Sequence, residues 1–200
     1  MMKLDLHIHS SDRSACGRSS ETEQIESALA AGLDGIAFTD HHRLAPYPHL
    51  VDLNRKYAPF KIYSGIEITA DHEDWLVLGI QDPALESELW DYEGLHRLVR
   101  QKGGIIVLAH PYRYQPKIQV DLNRLPPDAI ELRSRNTPAQ YEALIREAAS
   151  LLNLLLMCNS DAHYYKDIGA YYNEIPGMVE NDAGLVRTIL ALKSARLADS

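Results

Sequence analysis

Short apolar runs alternate along the chain with longer segments that are apolar at every third or fourth position. The runs predict six or seven β-strands, at residues 4–9, 35–39, 61–69, 75–80, 105–109, 129–132 and 154–158. Helical periodicity predicts four helices, at residues 20–31, 85–102, 138–152 and 183–197. Strands that alternate with helices in this way favour an α/β fold with a mostly parallel sheet and helices outside it.

Local signals support these boundaries. Ser20 and Glu23 have the spacing of a capping box, and Gly103 with Gly104 ends the helix at 85–102. That helix would present one apolar face, formed by Leu85, Leu89, Tyr92, Leu95, Leu98 and Val99. No repeat or flexible linker interrupts residues 1–200, so we expect one domain. A short, distorted barrel and an open doubly wound sheet both remain possible.

Composition narrows the classes of function. The chain has 200 residues and a formal net charge of −8, without a basic stretch, which argues against a protein that binds long nucleic acid. Cys16 and Cys158 are too few for a disulfide framework, and no apolar segment is long enough to span a bilayer. We therefore expect a cytoplasmic protein without a membrane partner. The sequence does not predict an oligomeric state.

The histidines carry the functional signal. His7 and His9 are two residues apart in the first predicted strand, so their imidazoles should share one face and could bind a metal ion together. Four later strands deliver metal-binding side chains at or near their carboxyl ends: Asp40, His41 and His42, then Glu67, His110, and finally Asp161 and His163. Since α/β enzymes assemble their sites at that edge, the pattern predicts a metal site with several ligands.

The motifs also resemble a known family. They are Asp5-Leu6-His7-Ile8-His9-Ser10, Thr39-Asp40-His41, Gly65-Ile66-Glu67-Ile68, Ala109-His110-Pro111 and Ser160-Asp161-Ala162-His163. In this order they resemble the PHP family, the polymerase and histidinol phosphatase domains of metal-dependent phosphoesterases. The resemblance implies a distorted, seven-stranded TIM-like barrel with two or three divalent ions at its carboxyl end.

The resemblance implies a ligand set. One ion would be surrounded by His7, His9, Glu67 and Asp161, a second would join Glu67 to His110, and a third would lie with His41 and His163. Another ligand is expected before the first helix, where Asp12 is the favoured residue and Cys16 a softer alternative.

This chain departs from the family pattern at the second ion. The resemblance implies a further histidine after the strand at 129–132, but no histidine occurs between His110 and His163. Two ions are therefore the central expectation. Mixed imidazole and carboxylate ligands suit Zn, Mn or Fe.

Several residues are expected to support catalysis. Asp161 and His163 would assist proton transfer, while Asp5 and Asp40 would orient metal-bound imidazoles by accepting hydrogen bonds. Strict alternation along the first strand turns Asp5 inward with the two histidines. Arg113 and Arg135 follow strand ends closely and would bind phosphate. His42 would also reach the substrate.

The predicted metal site and the family resemblance together imply a metal-dependent phosphoesterase. The substrate would be a small phosphorylated metabolite, such as histidinol phosphate or a mononucleotide, attacked in line by a metal-bridging hydroxide. Two alternatives remain. One is an amidohydrolase-type metal hydrolase, which also carries His-x-His on an early barrel strand; the other is a metal-binding regulatory module without catalysis.

Overall fold

The computed structural model describes residues 1–87 and 89–198. Within these residues the strands are β1 Met2–Ile8, β2 Gly35–Phe38, β3 Lys61–Ala70, β4 Glu73–Leu78, β5 Ile105–Leu108, β6 Ala129–Arg133, β7 Leu155–Cys158 and β8 Asn173–Ile175. The α-helices are α1 Glu21–Ala30, α2 Tyr47–Lys56, α3 Tyr92–Lys102, α4 Glu142–Leu151 and α5 Asp182–Ala198. None of these helices combines the length and the apolar composition needed to cross a bilayer.

The strands form one curved sheet in the order β7-β6-β5-β4-β3-β2-β1-β8. Most neighbours are parallel, but β4 is antiparallel to β3 and β5, and β8 is antiparallel to β1. Beyond β7, Ala162 bridges to Ile8, and its carbonyl accepts the backbone N–H of His9 at 2.9 Å. The sheet is therefore a nearly closed barrel, which confirms the TIM-like fold and excludes the open sheet.

The described strands number eight rather than the predicted seven. The additional strand, β8, has only three residues and pairs with the start of β1. Its sequence, Asn173-Glu174-Ile175, contains a single apolar residue, so it lacks the pattern by which the other strands are predicted.

Apolar side chains fill the barrel toward the amino ends of its parallel strands. Leu4 and Leu6 of β1 pack there with Tyr63, and the cluster extends to α5, whose inward residues are Leu185, Val186 and Ile189. Each such side chain contributes roughly 1.5–3 kcal/mol through burial. The helices cover the outer surface of the sheet through two further apolar clusters. Polar side chains are thereby left at the carboxyl end.

A β-bulge in β1 changes which side chains face inward. Asp5 pairs with Ile36 and Ile8 pairs with Phe38, so β1 carries one more residue between these pairs than β2 does. As a result Leu6 packs in the inner apolar cluster, while the next residue, His7, also points into the barrel. The predicted strict alternation is therefore wrong, and Asp5 does not face inward with His7.

Helix starts differ from the sequence pattern in two places. The first is α2, which was not predicted because prolines flank and enter its first turn; it packs through Leu50 and Leu53. The second is α3, which begins at Tyr92 rather than at residue 85. Asp91 caps it by accepting the backbone N–H of Gly94 at 2.7 Å.

The described residues at the start of the predicted helix 85–102 do not belong to α3. Residues 83–86 form a separate 3-10 turn, and Leu89, expected on the apolar face, is 93% exposed. Glu88, which falls inside the predicted helix, lies outside the described residues. By contrast, α1 begins with the expected capping box between Ser20 and Glu23.

Candidate metal centre

Four buried side chains converge at the carboxyl end of the barrel. His7 and His9 come from the end of β1, Glu67 comes from β3, and Asp161 follows β7. The two Nε2 atoms are 3.1 Å apart, and each lies 3.0–3.3 Å from Glu67 Oε2 and 3.3 Å from Asp161 Oδ1.

These donor atoms are poorly satisfied without a cation. Glu67 Oε2 and Asp161 Oδ1 are buried and accept no hydrogen bond of good geometry from a described residue. Buried carboxylates are costly unless they are paired or bind metal. Two imidazole nitrogens and two carboxylate oxygens facing one another are suited to a divalent ion, so the residues fit the metal that the motifs imply.

A second group lies on the side of β4. His110 Nε2 is 3.0 Å from Glu67 Oε1 and 3.9 Å from Asp74 Oδ2. Donor atoms of these three buried residues lie within 4.8 Å of one another. Asp74 was not predicted as a ligand, because it follows a turn at the start of β4 rather than a strand end. Since β4 runs antiparallel to β3, its first residues reach the carboxyl end of the barrel.

A third group lies at the mouth of the barrel. His9, Cys16, His41 and His163 also place their donor atoms within 4.8 Å of one another. The ring of His9 is stacked between those of His41 and His163, with centroid distances of 4.7 and 4.4 Å. Here Cys16, the softer of the two residues considered before the first helix, reaches the centre.

The charges of the inner group are strongly coupled. Burial opposes charge on Glu67, but His7 and hydrogen bonding to His110 outweigh it, so the pKa of Glu67 lies well below its usual range. Asp161 behaves in the same way, with its pKa lowered mainly by His7 and His9 against burial. Burial alone would lower the pKa of His9, but its bonds to Asp161 and Glu67 raise it to about 9. The carboxylates thus hold protons on the inner histidines that a metal ion would displace.

The outer histidines have the opposite behaviour. Burial lowers the pKa of His41 and of His163. Both are therefore neutral imidazoles at pH 7 and are ready to act as ligands. His163 Nδ1 lies 3.0 Å from the carbonyl oxygen of Asp161, which can only accept, so the proton is on Nδ1 and the lone pair on Nε2.

Glu131 is a central residue that the sequence interpretation did not assign. Its Oε1 lies 3.0 Å from His7 Nδ1, and its Oε2 accepts the backbone N–H of His110 at 2.8 Å. Asn159 donates to the same carboxylate at 2.7 Å. A fully buried glutamate between Ile130 and Leu132 of β6 was the available signal. Its carboxylate holds His7 in one orientation, as outer carboxylates commonly do for metal-bound histidines.

Asp161 is positioned by its own backbone and by one amide. Its φ is +52°, and Asn136 donates to its Oδ2 at 2.6 Å. His110 has φ +24°. Non-glycine residues rarely adopt such values, and they cluster where a side chain must be aimed. Asn136 lies in the loop after β6, where the resemblance placed a further histidine.

The structure does not bring three predicted acidic residues to the centre. Asp12 is exposed and accepts the backbone N–H of Glu21 at 2.8 Å. Asp40 accepts from Ser10 N–H at 2.6 Å and pairs with Arg13 at 2.8 Å, so it holds a loop rather than an imidazole.

The third of these residues is Asp5. It accepts the backbone N–H groups of Ser160 and His7 and contacts no imidazole through a hydrogen bond. Burial raises the pKa of Asp5 to about 7, against the effect of these two donors. Its contribution is to tie β1 to the segment that carries Asp161.

Of the three predicted substrate-binding residues, the structure places Arg113 at the centre and holds Arg135 and His42 in other contacts. Arg113 Nη1 lies 3.3 Å from His110 Nε2 and 3.9 Å from Asp161 Oδ2, at the edge of the centre. Arg135 is half-exposed and pairs with Asp167 at 2.8 Å. His42 is held elsewhere, since its ring bonds the carbonyl of Ser87 and accepts the N–H of Thr69.

A cavity of about 480 Å³ opens beside the centre. Asp161 and His163 form its inner wall. Its outer wall includes Arg18, Arg135 and Asn136. Arg18 lines this wall without an ion pair to any carboxylate of the described residues. The cavity brings two guanidinium groups next to the donor atoms of the third group.

Comparison with known proteins agrees with this geometry. Residues 5–187 match the family model of the PHP domain. No curated protein sequence matches the chain. Among solved structures, PsfC from Pseudomonas syringae has a TM-score of 0.67 and 18% identity, over 99% of this chain and 98% of that one.

Two other similar structures come from further bacteria. A proposed metal-dependent phosphoesterase from Bifidobacterium adolescentis has a TM-score of 0.68 and 16% identity, over 93% of this chain and 95% of that one. An amidohydrolase from Chromobacterium violaceum, solved with bound sulfate and without metal, has a TM-score of 0.60 and 17% identity, over 96% of both chains. At these identities the likeness is one of fold.

Proposed function

Because the chain belongs to the PHP domain family, we propose that it is a metal-dependent phosphoesterase that hydrolyses a small phosphorylated molecule. One observation carries the proposal: imidazole and carboxylate donors converge at the carboxyl end of the barrel, beside a cavity lined by arginines. A binding module would have no need to set such a centre in an open cavity.

The three groups of donor atoms would hold the divalent ions that supply the hydrolytic chemistry. Divalent ions held by the inner group and its two neighbours would activate water and bind phosphate oxygens. The protein's own residues then position these components. Glu131 fixes the orientation of His7, and Asn136 fixes that of Asp161.

Proton transfer is assigned to Asp161 and His163. His163 presents an unprotonated Nε2 at the mouth, and its side chain is 23% exposed, so it can accept a proton from water or return one to a leaving group. The Asp161 carbonyl keeps this tautomer in place.

Arginines supply the remaining charge for phosphate. Arg113 contacts the inner donors, while Arg135 and Arg18 border the cavity on the side of His163. A planar guanidinium binds phosphate oxygens in pairs, which orients the group as well as attracting it. When phosphate binds, the guanidinium of Arg135 would exchange part of its ion pair with Asp167 for contacts with phosphate oxygens.

Substrate size follows from the cavity and the charge. About 480 Å³ is in the usual range for a small-molecule site. A chain of net charge −8 without a basic stretch in its sequence offers little electrostatic attraction for a polyanion. We therefore assign a phosphomonoester of metabolite or mononucleotide size.

A substrate panel tests the proposal. Metal-loaded protein should hydrolyse at least one phosphomonoester in a set of sugar phosphates, mononucleotides and histidinol phosphate. Asp161→Ala and His9→Ala should abolish that activity with the fold retained by circular dichroism, whereas His72→Ala, in the exposed β3–β4 turn, should not. Near-normal turnover in either centre variant at matched metal content would refute the assignment.

Amide or lactone hydrolysis is the second candidate. The observation that favours it is the similar structure described as an amidohydrolase. The same variants should be assayed with an amide and lactone panel. Activity there without phosphoester hydrolysis would replace the first proposal, and no activity in either panel would favour a regulatory module.

A further inference from the structure

The two ends of the metal centre differ in the chemistry of their donors. At the β4 side the donors are the carboxylates of Glu67 and Asp74 and one imidazole, that of His110. At the mouth they are the thiol of Cys16 and the imidazoles of His41 and His163, next to His9. Sulfur occurs at one end and an excess of carboxylate oxygen at the other.

The loop that carries Cys16 is held in place by the fold. Arg18 N–H donates to the His163 carbonyl at 2.7 Å, and Ser14 Oγ accepts the backbone N–H of His41 at 2.8 Å. Between them, Gly17 packs so closely on Ser10 that a Cβ atom would collide with its backbone. The loop is therefore bound at both sides to the segments that carry the two histidines.

An independent observation marks the mouth as a ligand site. His9 is fully buried and its Nδ1 has no hydrogen-bond partner among the described residues, while its ring lies between those of His41 and His163. The three imidazoles and the Cys16 thiol place their donor atoms within 4.8 Å of one another. They form a donor set of the kind that binds zinc.

The β4 end is organised around oxygen. Thr69 donates its hydroxyl to Asp74 Oδ1 at 2.6 Å, and Asp74 Oδ2 is the carboxylate oxygen 3.9 Å from His110 Nε2. Both Glu67 and Asp74 are at most 3% exposed. Asp74 thus supplies a carboxylate to the second group in a chain that has no histidine between His110 and His163.

We propose that the centre binds two chemically different ions: a soft or borderline ion such as Zn²⁺ at Cys16, His41 and His163, and a harder ion such as Mn²⁺ at Glu67, Asp74 and His110. Thiolate ligands select zinc and its relatives, whereas carboxylates suit manganese and magnesium. Cys16 would bind as the thiolate, with its proton released to solvent. His163 would bind this ion through Nε2, which leaves proton transfer to Asp161 whenever the ion is present. The inference uses the metal centre of the proposed function but does not depend on which bond is hydrolysed.

Spectroscopy on the metal-stripped full chain tests the sulfur end. Co²⁺ replaces Zn²⁺ and gives a near-ultraviolet charge-transfer band when a thiolate binds it. Titration of wild type with Co²⁺ should produce this band. Cys16→Ser should lose it, and Cys158→Ser, at the end of β7, should keep it. Absence of the band in wild type, or its persistence in Cys16→Ser, would overturn the proposal.

Binding of Mn²⁺, followed by electron paramagnetic resonance, tests the other end. Asp74→Asn keeps an acceptor for Thr69 and should weaken Mn²⁺ binding by at least ~10-fold, while leaving the Co²⁺ band intact. Glu174→Gln, on β8, is the matched control. Equal loss of both ions in Asp74→Asn and Cys16→Ser would contradict an asymmetric centre. Neither readout measures hydrolysis, so a failed phosphoesterase assay would leave this test standing.

Discussion

His7 Nδ1 lies 3.0 Å from Glu131 Oε1, and both side chains are fully buried. The carboxylate therefore fixes which nitrogen of His7 faces the metal centre. Because the same carboxylate also accepts the backbone N–H of His110, one residue of β6 orients ligands at both the inner group and the β4 side.

Replacing Glu131 should weaken metal binding more than it weakens the fold. We expect Glu131→Gln to reduce the affinity for the first metal ion by about 10- to 100-fold, as for other outer carboxylates behind metal-bound histidines. Competition with a chromophoric chelator measures it. Glu142→Gln is the control, since Glu142 pairs with Arg133 and Arg146 on the surface. An unchanged affinity in Glu131→Gln would show that His7 needs no carboxylate support.

Arg113 should contribute to phosphate binding more than Arg133. A hydrogen bond to a charged group contributes about 1.5–3 kcal/mol, so Arg113→Met should lower kcat/KM by roughly 10- to 100-fold. Arg135→Met should have a smaller effect, because Asp167 already engages its guanidinium. Arg133→Met, which removes only the surface pair with Glu142, should leave kcat/KM unchanged. Steady-state kinetics with the phosphomonoester that the wild type hydrolyses most efficiently measure kcat/KM for the three variants.

The substrate should be small. We expect kcat/KM for a mononucleotide or sugar phosphate to fall only modestly between about 50 and about 200 mM salt, because few charges meet at short range. A single strand of about 20 nucleotides should be a poorer substrate at both salt concentrations. A preference for the long strand, together with steep salt dependence, would indicate a nuclease.

Asp5 should make the metal-free protein less stable as pH rises. Its pKa is raised to about 7 in the fold, from 3.8, so the native state favours the protonated form. This stabilisation is complete below about pH 4 and is lost as pH rises to about 7, by up to about 1.4 kcal/mol per pH unit.

The comparison with Asp5→Asn isolates this residue. The amide oxygen can still accept from Ser160 and His7, but the side chain does not titrate. Urea unfolding in the presence of a chelator, between pH 4 and 8, should show the variant gaining stability relative to wild type as pH rises. A constant difference across this range would mean that Asp5 is not the group responsible.

Strand-end motifs predicted most of the centre because they are local. His7, His9, Glu67, His110 and Asp161 each follow or end an apolar run, and parallel strands must bring such residues together. Asp74 and Glu131 could not be found in this way. Asp74 reaches the centre only because β4 runs antiparallel, and Glu131 acts from inside a strand.

Asp12 and Cys16 show a second limit. Both lie in the loop before α1, and the family resemblance favoured Asp12 as the only carboxylate between the first motif and Glu21. The loop path is set instead by the close approach of Gly17 to Ser10 and by the bond from Arg18 to His163. These contacts join residues distant in sequence, so no local pattern reveals that the thiol faces the centre while Asp12 binds the start of α1.

The extra residue in β1 separates two requirements that a regular strand could not meet together. With strict alternation, the side that places Leu4 and Leu6 in the barrel core would turn His7 and His9 toward the surrounding helices. Because of the bulge, one strand supplies apolar side chains to the barrel core and then two histidines to the metal centre at the carboxyl end. Deleting a single residue between Asp5 and Ile8 would therefore restore regular pairing with β2, but it would remove either Leu6 from the barrel core or His7 from the metal ligands.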